Sequence, residues 1–168
     1  MKNLLLLLCF VAISLASGAQ NQFSNPTIFV GNVVVDLEKS IDFYTNIIGM
    51  TQTGEFSVGG EKSKELGLTD GRSIDVAVLK LEDSPQANEW KLMSFGTKAG
   101  HKKPKYLHDD TGMQYITILV NHLDPIIERI KKNNIKILSG EPSKLAENNY
   151  FILVQDPDGT FIELIGPK

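Results

Sequence analysis

The chain has a single cysteine, Cys9, among its 168 residues, and that one lies near the start. A disulfide, a thiolate metal centre and a cysteine nucleophile all need more than this, or a better-placed thiol. Charge of one sign is scarce too. Lys and Arg number 17 against 20 Asp and Glu, a formal net charge of −3 with no basic stripe, so nucleic acid is not an expected partner. Gly59-Gly60 lacks the lysine spacing of a phosphate-binding loop. The serines stand in no telling context beside the 3 histidines, so no Ser-His-Asp arrangement can be assigned. What is present is a composition of 42% hydrophobic and 22% charged residues, that of one folded domain.

Long apolar runs are missing except at the N-terminus. Lys2 gives a short positive region, Leu4–Ile13 is apolar, and Ser17-Gly18-Ala19 puts small residues before Gln20. The run is shorter than the roughly 20 residues that span a bilayer, so residues 1–19 read as a cleaved signal peptide rather than an anchor. Cys9 leaves with it. No cysteine stands at the cleavage point, which disfavours a lipoprotein. The expected product is secreted or periplasmic, free of the membrane after cleavage and without a disulfide. A domain near 150 residues buries enough surface to fold without one.

From Thr27 the pattern becomes regular. Ile28–Val35 is a β-branched apolar run that reads as a strand, and Asp36 stands where an N-cap belongs. Leu37, Ile41, Tyr44 and Ile48 form one helical face, and Gly49 can close it in the left-handed conformation. Strands are expected over Met50–Val58, weakened by Gly54, then Ile74–Leu81 and Trp90–Phe95, with one helical turn over Lys62–Leu66. A basic linker with Lys98, Lys102, Lys103 and Lys105 follows, and the order begins again. Gln114–Val120 reads as a strand, and Leu123, Ile126, Ile127 and Ile130 as a helix ended by Asn133-Asn134. Ile135–Leu138, Tyr150–Val154 and Thr160–Ile165 read as strands, with the tight turn Asp156-Pro157-Asp158-Gly159 between the last two. Two β-α-β-β-β modules with unequal loops result, an α+β fold.

Two segments carry a family resemblance. Asn32–Met50, with Asp36-Leu37, Ser40, Phe43-Tyr44 and Gly49, resembles the opening of the glyoxalase/bleomycin resistance/dioxygenase (vicinal oxygen chelate) superfamily. Val154–Leu164, with Asp156-Pro157-Asp158-Gly159 and then Glu163, resembles its closing hairpin. The resemblance implies a glyoxalase-like domain over residues 27–166, with modules at about 27–96 and 113–166 forming a cupped, partly closed mixed sheet. It further implies divalent-metal ligands on the first and last strands of each module. Carried over, those positions fall on Phe29, Lys91, Tyr115 and Glu163. Phenylalanine has no ligand atom and an ammonium has no lone pair, so only Glu163 is a proper ligand. The usual metal centre is therefore not expected, and no cofactor is. A slip of one residue would exchange Tyr115 for Gln114 but turn each strand over. Asn32 is a misfit in the preferred register, facing the helix layer.

Strand alternation puts Phe29, Gly31, Val33, Lys91, Met93, Tyr115, Thr117, Leu119, Phe161, Glu163 and Ile165 on the concave face. Phe29, Lys91, Met93, Tyr115, Thr117 and Phe161 are the expected ligand-binding residues, with Glu163 as the candidate catalytic carboxylate. A filled apolar core is the plainer reading of the same face. Lys91 and Glu163 argue against it and are expected to pair across the cup, because a buried charge is costly alone. His101, His108 and His122 read as solvated, and His108 with Asp109 and Asp110 is a weak metal signal. The lysine cluster reads as a solvated loop that could still draw an anion toward the cup. The expected activity is small-molecule binding. The alternative is a metal-dependent lyase or isomerase of the lactoylglutathione lyase type, with Glu163 as ligand and base. A ring-cleaving dioxygenase is disfavoured by the missing histidine pair. Members of the family often dimerise, so a homodimer stays open.

Overall fold

The computed structural model describes residues 23–97 and 102–168, and the expected signal peptide, with Lys98 and His101, lies outside them. No described helix is long and apolar enough to cross a membrane. Strand β1 (Phe29–Val33) leads into helix α1 (Leu37–Asp42), capped by the Asp36 carboxylate accepting Lys39 N–H at 3.0 Å. The helix then widens into a π-helical turn over Phe43–Ile48, closed by Gly49 at φ 101°. The single stripe read from the sequence is thus an underestimate. The wider turn buries Phe43, Tyr44, Ile47 and Ile48 together, two adjacent pairs instead of one line. Strands β2 (Thr51–Val58), β3 (Ile74–Lys80) and β4 (Glu89–Ser94) complete the first module, with short α2 (Gly60–Glu65) between the first two. Gly54 weakens β2 as expected: its pairing with β3 shifts between Gln52 and Gly54.

The second module repeats the order with β5 (Tyr115–Leu119), α3 (Asp124–Lys132), β6 (Ser143–Ala146), β7 (Asn149–Gln155) and β8 (Phe161–Gly166). One expectation needs correction. Ile135–Leu138 is not a strand. Asn134, at φ 55°, turns the chain out of α3, and Ile137 is buried in the core. The strand that pairs with β7 is the exposed Ser143–Ala146, a Ser-Lys-Leu-Ala segment too short to show an alternation.

Each module forms a four-stranded mixed sheet, β1-β4-β3-β2 and β5-β8-β7-β6, with β1 parallel to β4 and β5 parallel to β8. The main core lies on the helix side and joins both modules. It includes Tyr44, Leu79, Trp90 and Leu92 from the first and Leu123, Ile130, Ile152 and Leu164 from the second. Arg129 of α3 fastens the helices together, donating from Nε to Ile47 O at 2.8 Å and from Nη2 to Ile48 O at 3.2 Å.

The β7–β8 turn supplies a second fastening. The buried Asp156 accepts on Oδ1 from the backbone N–H groups of Asp158, Gly159 and Thr160 at 2.7–2.9 Å. Its Oδ2 accepts Tyr44 O–H at 2.8 Å and Asn32 Nδ2–H at 3.3 Å, both from the first module. Asp158 adds Ser40 Oγ–H at 3.4 Å and Val35 N–H at 3.3 Å. Asn32 therefore faces the helix layer for a reason: it meets the carboxylate of the other module. Burial, and then the Asp156 charge and hydrogen bond, push the Tyr44 hydroxyl well above its ordinary range, so it stays protonated and donating.

Candidate functional site

The expected register holds. Along β1 the exposed residues are Phe29, Gly31 and Val33, while Val30 and Asn32 turn inward; along β5 Tyr115, Thr117 and Leu119 face out and Ile118 is buried. The outward faces are open rather than filled. Phe29 is 52% and Tyr115 47% exposed, which sets the plain core reading aside for these strands. Phe161 differs. It is buried, so it belongs to the packed interior and not to the open surface.

Between the free edges of the two sheets runs a groove of about 810 Å³. Ile28, Val30 and Trp90 wall it on the first module, and Tyr115, Thr117 and Leu119 on the second. Lys80, Glu82 and Glu89 bring charge to its rim. A cleft of this size, mostly apolar but with polar side chains such as Gln86, Asn88, Thr117 and Asn121, suits a small organic molecule. Tyr115 and Thr117 of the expected site thus line the groove directly. Phe29, Lys91 and Met93 stand on the adjoining open face of the first sheet, where Met93 Cε lies over Gly31 so closely that a Cβ there would sit 3.1 Å from it.

The expected Lys91–Glu163 pair is not formed. Lys91 Nζ lies 3.2 Å from Glu89 Oε2, and Glu163 Oε2 accepts the Thr117 hydroxyl at 2.6 Å. The reason is local. Glu89 and Lys91 are two apart on one strand and share a face, and Thr117 stands opposite Glu163 on the neighbouring strand. Lys91 also lies 4.8 Å from the Phe29 ring centroid and 6.0 Å from that of Phe56, a residue the sequence reading did not place here. The signal was available, since Phe56 keeps the alternation of β2, but the bulge ahead of Gly54 resets its face. Lys80, also missed, shares Glu89 with Lys91 at 3.8 Å.

The inferred metal positions, Phe29, Lys91, Tyr115 and Glu163, offer one carboxylate, already taken up by a hydroxyl. That donor set does not fit a divalent cation, which takes several oxygen or nitrogen ligands. Among the described residues no three His, Cys, Asp or Glu side chains stand together as a metal would need. The Asp109 carboxylate instead caps its own loop. The backbone N–H of Tyr106, and then that of Lys105, hold it below the usual carboxylate range. His108 stacks on Tyr106 with ring planes 3° apart. In the lysine cluster, Lys103 donates to Pro157 O and Lys105 lies over the Tyr106 ring.

The Glyoxalase/Bleomycin resistance protein/Dioxygenase superfamily model matches residues 29–164. The chain belongs to that superfamily. Among solved structures, a glyoxalase family protein from Bacillus cereus is similar at 19% identity and TM-score 0.72, over 89% of this chain and 97% of that one. The trypanothione-dependent glyoxalase I of Leishmania major is similar at 21% identity and TM-score 0.60, covering 85% and 87%. An antibiotic binding protein from Streptomyces sp. CB03234 is similar at 15% identity and TM-score 0.55, covering 84% and 95%. These likenesses concern the fold. No curated protein matches the chain.

Proposed function

We propose that this protein binds a small organic molecule in the groove between its modules, without the divalent centre that the superfamily's enzymes use. The observation that carries the reading is the open, largely apolar groove walled by Trp90 and Tyr115, set beside a donor set unsuited to a metal ion. A structure of similar fold described as an antibiotic binding protein supports this reading. The second reading, a lyase or isomerase, rests on one group: the half-buried Glu163 on the open face. The protein acts outside the cytoplasm, as a secreted or periplasmic species cut before Gln20. N-terminal sequencing of the exported product should begin at Gln20, and an intact Met1 in a membrane fraction would contradict this.

N-phenyl-1-naphthylamine, a neutral apolar fluorophore, tests the groove. Trp90 is the chain's only tryptophan and walls the groove, so a bound probe should quench its emission by energy transfer at one probe per chain. Ala87 also lines the groove, and Ala87→Phe should fill part of it and weaken the probe about tenfold. Probe binding that leaves Trp90 emission unchanged and ignores Ala87→Phe would place the site elsewhere.

A further inference from the structure

Two ammonium groups share one carboxylate beside the groove. Lys80 Nζ lies 3.8 Å from Glu89 Oε1 and Lys91 Nζ 3.2 Å from Glu89 Oε2, with side-chain exposures of 14%, 20% and 26% for Lys80, Glu89 and Lys91. A single carboxylate cannot neutralise both. Lys80 has a further acceptor, Ser84 O at 3.2 Å. Lys91 has no further protein acceptor among the described residues. What it has instead are aromatic faces, Phe29 at 4.8 Å and Phe56 at 6.0 Å, each about half exposed. The excess positive charge therefore sits, partly desolvated, where the open sheet face is most aromatic. Around it lie Val33, Val78 and Met93.

Resting on the reading of the protein as a small-molecule binder, we propose that the open sheet face beside the groove, on the side of β4 opposite Trp90, takes a small organic acid with a flat apolar body, its anionic group held by Lys91. The acid supplies the acceptor that Lys91 lacks, in a site where a charge-assisted bond is screened less than in water. The body covers Phe29 and Phe56, whose exposed rings otherwise face solvent. A neutral ligand would leave the ammonium unsatisfied, and a cation would meet it as a like charge. Glu89 sets the strength of the site by competing with the ligand for both lysines.

Two fluorophores separate this inference from the reading beneath it. 8-Anilinonaphthalene-1-sulfonate and N-phenyl-1-naphthylamine share one ring body and differ by a sulfonate. The full mature chain should bind the sulfonate about tenfold tighter than the neutral probe. Lys91→Met should lose about tenfold for the sulfonate and change the neutral probe by less than about twofold, while Lys91→Arg keeps most of the preference. Glu89→Gln should tighten the sulfonate by about threefold or more at one probe per chain while changing the neutral probe by less than about twofold, whereas a partly folded variant would take up both probes. Cooperative urea transitions, with the probe measurements made well below each midpoint, check that the variants are folded. Equal affinity for the two probes, or sulfonate binding indifferent to Lys91→Met, overturns the inference and leaves the groove reading standing. Binding of neither probe removes both. A chain that sediments as a dimer, and binds the sulfonate only when diluted to monomer, gives the face to a second copy and also overturns the inference.

Discussion

Asp156→Ala should lower stability by about 3–5 kcal/mol, the largest effect expected of any single polar substitution in this protein. Asp156 is 3% exposed, yet it accepts five hydrogen bonds, three from its own turn and two from the other module. Alanine leaves the Asp158 and Thr160 N–H groups and the buried Tyr44 hydroxyl without their acceptor, while Gly159 N–H keeps only the Asp156 carbonyl at 3.2 Å. Asp156→Asn separates the parts of this role. Its carbonyl oxygen can still serve the turn, but its amide would face two donors, Tyr44 O–H and Asn32 Nδ2–H, so roughly 1–2 kcal/mol is expected. Tyr44→Phe should cost about 1–3 kcal/mol and be strongly non-additive with Asp156→Asn, because both act on one bond. Urea unfolding of the four proteins in that cycle is the measurement. Additive losses, or an Asp156→Ala cost below about 1 kcal/mol, would mean that the turn does not join the modules.

Most of the fold was legible because the two modules follow simple periodic rules. Asp36 caps, Gly49 stops, and Ile126, Ile127 and Ile130 mark the buried face of α3, each through local chemistry that a sequence displays. The failures share a cause. Ile135–Leu138 has strand composition, but the chain turns at the left-handed Asn134 and buries Ile137 in the core; the true β6 is a four-residue exposed segment, half of it polar, whose pairing depends on β7. The π-helical turn is invisible for the same reason. It carries Tyr44, whose hydroxyl meets Asp156 112 residues away, a contact that no local pattern displays.

The site was legible in its faces and not in its pairs. Alternation put Phe29, Lys91, Tyr115, Thr117 and Glu163 on the concave face, and the exposure along β1 and β5 follows that alternation. Which charges meet depends on how the two sheets lie, and pseudo-symmetry was a poor guide to that. Glu89, two residues from Lys91, took the place assigned to Glu163. Phe161 kept its parity and lost its exposure, since parity fixes the face of a strand but not what covers it.

The reading of this superfamily member as a binder without a divalent centre is tested most directly by metal titration. The protein, purified without chelator, should carry no stoichiometric metal by elemental analysis. Calorimetric titration with nickel, zinc or manganese should give dissociation constants no tighter than about 1 mM, at least a thousandfold weaker than a micromolar site. The ground is chemical: Phe29 and Lys91 cannot donate to a cation, and Glu163 by itself is too few ligands. One ion bound per chain with sub-micromolar affinity, lost in Glu163→Gln, would contradict the account and return Glu163 to the role of ligand and base.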